Sequence, residues 1–77
     1  MNTSYITKRV AEMVPDLADC RVDDAGGGIF AFHCKRDGMA RCIQFDECGI
    51  YGMPSWLGRW AQSDDAIAVA IAVEVAK

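Results

Sequence analysis

His33 and Cys42 are the two residues of this chain whose types could make an activated nucleophile. An imidazole beside a thiol takes its proton, and the thiolate attacks. Such a dyad also needs a third orienting group, oxyanion donors and a pocket. The sequence places none of these, and the chain is short for an enzyme. The expected role is non-enzymatic, with a small thiol-dependent enzyme using His33 and Cys42 as the last alternative.

The remaining thiols are Cys20, Cys34 and Cys48. With His33 they raise the idea of a zinc site. Structural zinc sites contain close pairs such as C-x₂-C. Here no two cysteines are closer than six positions. No metal and no cofactor is therefore expected. An even cysteine count in a short chain also suggests disulfides, which belong to secreted proteins. Met1-Asn2-Thr3-Ser4-Tyr5 carries no basic region followed by an apolar core, so no signal peptide is expected. The chain is placed in the cytoplasm with reduced thiols, several of them in the core.

Gly26-Gly27-Gly28 lacks the following Lys-Ser/Thr and the helix start of a phosphate loop, and reads as a turn. The acidic pairs Asp23-Asp24, Asp46-Glu47 and Asp64-Asp65 have no EF-hand spacing. They read as a turn opening, a strand end and a helix cap. Trp56 and Trp60 are four apart, with Met53 and Leu57 nearby. They either complete a core or anchor a partner, since Trp and Met serve both purposes.

These residues are positioned by a short series of elements. Thr3 or Ser4 caps a helix running to about Val14, where Pro15 ends it. Ile6, Val10, Met13 and Val14 make its apolar stripe. Ala18 to Asp23 alternates, with Ala18, Cys20 and Val22 on one side, which is a half-buried strand. Asp24 to Gly28 is read as the turn that follows it.

Strands Ile29–Arg36 and Met39–Asp46 flank Asp37-Gly38, a strong type I′ hairpin signal. That turn pairs Arg36 with Met39, His33 with Cys42, Phe32 with Ile43 and Phe30 with Phe45. All four large apolar residues then share one face. A slip of one residue would destroy the agreement. Ala31, His33, Lys35, Ala40, Cys42 and Gln44 form the opposite face. Glu47 to Gly52 is expected to leave the sheet, and Trp56–Gln62 to form a short bridging helix.

Residues 66–76 carry two signals. Ile67, Val69, Ile71, Val73 and Val75 alternate with smaller residues, which is a strand period. The Ser63-Asp64-Asp65 cap, the alanines and Lys77 favour a helix, the reading adopted. As a helix it carries one stripe of Ile67, Ile71 and Val75 and another of Val69 and Val73. A small domain has difficulty covering both, so one is open to a partner or a second copy, giving a homodimer through this segment.

The whole chain, 1–77, is one domain of 77 residues. Its predicted class is α+β: a three-stranded antiparallel meander with N- and C-terminal helices packed on one face, in the order α-β-β-β-α. Charges bound the function further. Eleven acids against eight scattered bases give a net charge of −3. Lys35, Arg36 and Arg41 could gather near the hairpin tip, but no larger basic patch exists. Direct nucleic-acid binding is not expected, because neutralised phosphates supply much of that affinity. Membrane insertion is excluded by the apolar run Ala66–Val73, far short of the roughly 20 residues a span needs.

In length, acidity and element order the chain resembles the small inhibitors of the anti-CRISPR type, encoded by phages and other mobile elements. That resemblance implies an inhibitor that binds a host nuclease complex and blocks target recognition or cleavage. The surface residues first expected to meet a protein partner are His33, Lys35, Cys42, Gln44, Trp56 and Trp60. The main alternative is a homo-oligomeric structural or regulatory subunit.

Overall fold

A computed structural model of the chain describes residues 1–47, 49–50 and 63–77. Helix α1 spans Thr3–Met13 and is followed by strands β1, Ala18–Gly26, β2, Ile29–Arg36, β3, Met39–Asp46, and β4, Gly49–Ile50; helix α2 spans Asp64–Val75. The strands form one antiparallel sheet in the order β1-β2-β3-β4.

The hairpin has the register that its turn chemistry and its apolar alternation both demand. Arg36 pairs with Met39, His33 with Cys42, Phe32 with Ile43 and Phe30 with Phe45. Asp37 and Gly38 take φ of 53° and 77°, as a type I′ turn requires. Phe32, Phe45 and Cys34 are buried on the shared face, against Ile6, Val10, Ile67, Ile71 and Val75 from the helices. Residues 64–75 are helical, so the cap and the alanines prevail over the alternating pattern. Ser63 Oγ accepts the Ala66 N–H at 3.1 Å.

Four local features differ from the sequence expectation. The first is the cap of α1, which is Asn2 and not Thr3 or Ser4. The Asn2 side chain accepts the Tyr5 N–H at 3.0 Å from an extended backbone. Asparagine caps as well as serine, and Thr3 is already inside the helix.

The second lies in β1. Its register with β2 shifts between Ala18 and Arg21, where Asp19 has φ of 54°. Two residues, Asp19 and Cys20, stand opposite the single residue Cys34, which is a β-bulge. The extra residue reverses the alternation, so Ala18 pairs with Lys35 on the outer face and is exposed. Cys20 and Val22 remain on the core side.

Third, β1 continues to Gly26 and turns only at Gly27-Gly28, both with positive φ. Fourth, the chain does not leave the sheet after Glu47. Gly49-Ile50 folds back on β3, pairing Ile50 with Phe45 and Gly49 with Asp46. This adds a short fourth strand and buries Ile50. The expected bridging helix Trp56–Gln62 lies outside the described residues.

The two helices run side by side in the same direction. Near their starts, Asp64 Oδ2 accepts the Asn2 N–H at 3.0 Å. Asp65 Oδ1 accepts Tyr5 Oη–H at 2.8 Å and Arg9 Nε–H at 3.0 Å. Near their ends, Arg36 Nε donates to Asp16 Oδ2, just past α1, at 3.1 Å. The Nη1 of the same Arg36 donates to the carbonyls of Val75, Ala76 and Lys77 at 3.3, 2.6 and 3.3 Å. Arg41 Nη1 adds bonds to Val75 and Lys77 at 3.3 and 2.8 Å. Aligned helix dipoles repel, and this charge placement offsets part of that: Asp64 and Asp65 lie at the positive ends, and Arg36 and Arg41 hold the negative end of α2. The arginines also satisfy carbonyls that a helix end leaves without partners.

Candidate interaction surface

The outer face of the sheet is built by alternation. On β2 and β3, the residues that alternate with Phe32, Cys34, Ile43 and Phe45 point away from the helices. Ala31, His33 and Lys35 stand across from Gln44, Cys42 and Ala40 respectively. On β1, Arg21 and Asp23 pair with His33 and Ala31. Four residues predicted for the binding face, His33, Lys35, Cys42 and Gln44, are thus brought together. Trp56 and Trp60 lie outside the described residues.

Lys35, Cys42 and Gln44 are exposed, His33 is half-buried and Ala31 is buried. The helices pack on the other side of the sheet. Charges on the outer face are paired, within β1 and from β1 to β2. His33 Nε2 lies 3.4 Å from Asp23 Oδ2, which also accepts from Arg21 Nε at 3.2 Å. Lys35 Nζ lies 3.7 Å from Asp19 Oδ2, across the bulge. A hollow beside the bulge is lined from both faces, by Asp19, Arg21 and Lys35 of the outer face and by Cys20, Cys34 and Arg41 of the core side. Two acids face two bases, so the surface has polarity without a strong field of either sign.

The sequence reading missed Asp19, Arg21 and Asp23 as members of this surface. It read β1 as a half-buried strand but had no register for β1 against β2. The three-glycine turn that joins them does not specify register as Asp-Gly does. Nor do Lys35, Arg36 and Arg41 form a basic patch. Arg36 and Arg41 lie on the core-side register of the hairpin and hold the end of α2, while Lys35 faces outward.

His33 and Cys42 are direct cross-strand neighbours. The imidazole lies beside the Asp23 carboxylate, a third group the sequence did not supply. Nε2 is the nitrogen nearest the carboxylate, at 3.4 Å, and among the described residues no hydrogen bond joins His33 to Cys42. The ring's Nε2 is thus directed towards β1. Among the described residues no cluster of three or more His, Cys, Asp or Glu is placed to hold a metal. No described helix is long and apolar enough to cross a membrane.

Elsewhere, shifted ionisation follows the interhelical contacts. Asp65 is held below the usual carboxylate range by its bonds from Tyr5 and Arg9. The Tyr5 hydroxyl is raised by that same bond. Asp16 is lowered chiefly by Arg36. Burial pushes the Cys20 and Cys34 thiols up. No family model, curated protein or solved structure matches the chain.

Proposed function

We propose that this chain is a non-enzymatic protein-binding module that works through the outer face of its sheet. The observation that carries the reading is the row Arg21, Asp23, His33, Lys35, Cys42 and Gln44, aligned by register on the side away from both helices. A protein partner suits this row better than a nucleic acid does. Its bases are already matched by Asp19 and Asp23, so few remain to neutralise phosphates. Its rigid strands present polar groups in fixed positions, which favours specific recognition.

Along the line of the anti-CRISPR resemblance, the partner is a host protein or nuclease complex, and binding blocks its action. The test is affinity capture from host cells with the wild-type chain and with a Gln44→Arg/Cys42→Arg variant. A control variant, Lys8→Glu, alters the exposed side of α1 instead. The reading predicts a stoichiometric partner held by wild type and control and lost by the face variant. A partner held equally by all three chains, or none at all, removes it. Added to the captured complex, the chain is expected to inhibit its nuclease activity; full activity at saturation ends the inhibitor part alone.

One observation favours a second reading, a homo-oligomer closed through α2. Val73 is 52% exposed, on the stripe opposite the buried Ile67, Ile71 and Val75. Light scattering separates the two readings, because a monomer at high concentration removes the oligomer.

A further inference from the structure

Cys20 and Cys34 face each other across the bulge of β1. Cys34 is the single β2 residue opposite Asp19 and Cys20. Ladder hydrogen bonds alternate sides along a strand. Residues Arg36 and Met39 close the hairpin, so Cys34 bonds to Arg41 on β3 and stands at a non-hydrogen-bonded site towards β1. Cys20 and Cys34 also line one hollow beside the bulge, and a disulfide needs two cysteines brought near each other in this way. Both side chains also lie on the core side: Cys34 is buried in the cluster and Cys20 packs against it, half-buried. The outward-facing Cys42 is adjacent to neither on that face.

We propose that Cys20 and Cys34 are a redox pair, converted to a cross-strand disulfide by a low-molecular-weight disulfide of the glutathione class. Cys20 lies on the edge strand and, being half-buried where Cys34 is buried, is the thiol of the pair a reagent reaches first. Its thiolate attacks one sulfur of the reagent and releases the other half as a thiol. Cys34 then attacks the Cys20 sulfur and releases the second half. One disulfide is consumed, one is made, and the two protons end on the released thiols. Burial raises both thiols, so the exchange is slow at neutral pH and quickens in mild alkali. The resulting bond ties β1 to β2 beneath Arg21 and His33. It does not depend on the binding function proposed above.

The experiment incubates the full chain with oxidised glutathione at mildly alkaline pH, then maps its cysteines by mass spectrometry. The expected product yields a Cys20–Cys34 linked peptide two hydrogens lighter than the two reduced peptides together, whatever adduct the exposed Cys42 carries. Closing a loop of this length is expected to lower the unfolding constant on the order of a hundredfold. In a Cys34→Ala variant the glutathione adduct should persist on Cys20. Three results on the wild-type chain would overturn the proposal. One is a lasting adduct on Cys20 beside a free Cys34. Another is linkage of either residue to Cys42 or Cys48. The last is no reaction at Cys20 when Cys42 is fully modified.

Discussion

Replacing Arg36 by methionine should destabilise the domain far more than removal of any exposed base. Methionine keeps the apolar stem while deleting the charge and its donors. The guanidinium holds two things together, the Asp16 carboxylate after α1 and the last carbonyls of α2. Of its three carbonyl contacts, the 2.6 Å bond to Ala76 is short and the two at 3.3 Å are marginal. One good charge-assisted bond contributes about 1.5–3 kcal/mol. The side chain is 24% exposed, so the lower half of that range is the better expectation. A chain of this size is stable by roughly 4–12 kcal/mol in all. The loss should lower the melting temperature by about 6–18 °C at 4–8 °C per kcal/mol. Urea denaturation followed by far-UV circular dichroism measures it, with Lys8→Met as the control. Arg41→Met should cost less alone. The double variant should be non-additive, because both arginines share the Val75 and Lys77 carbonyls. An Arg36→Met midpoint equal to that of Lys8→Met would refute the proposed role of the arginine pair.

Two further outcomes follow from the same geometry. Asp65 and Asp16 have folded pKa values below their unfolded ones. Their stabilising effect is therefore complete above the unfolded value of about 3.9 and is lost as pH falls through the depressed folded values. Asp65→Asn should remove part of the acid limb of the stability profile below about pH 4; an unchanged limb would show that its bonds to Tyr5 and Arg9 do not persist in solution. Gly38→Ala meets open space at the new Cβ, yet φ is 77° there. The backbone alone should cost about 1–2 kcal/mol, read as a shifted urea midpoint, and no shift would argue against the type I′ turn.

The sequence and the fold agree where two independent signals coincide. The Asp37-Gly38 turn and the Phe30, Phe32, Ile43, Phe45 alternation each specify one register, and it is the one observed. Ser63 with its two acids likewise marked α2 against a misleading period of two. The differences arise where one signal stood alone. Alternation through Ala18, Cys20 and Val22 presumes an unbroken period, and a single residue at positive φ, Asp19, breaks it. Gly49-Ile50 is too short to show any period. The outer face was legible on β2 and β3 because their register was known. Its β1 members were not, since Asp19 and Asp23 reach Lys35 and His33 only once the bulge is in place. The arginine pair was the least legible feature. It needs the end of α2 laid over the hairpin, a relation that no local pattern encodes.

The most direct test of the account returns to the outer face of the sheet. Binding of the captured partner should be measured by titration calorimetry for the wild-type chain and for Gln44→Arg/Cys42→Arg, once circular dichroism shows both folded alike. Substitution at the heart of a binding surface commonly costs more than about 2 kcal/mol, at least some thirtyfold in affinity. The account predicts a loss of that size in the face variant and none in Lys8→Glu. Equal affinity of the face variant and the wild type would contradict it.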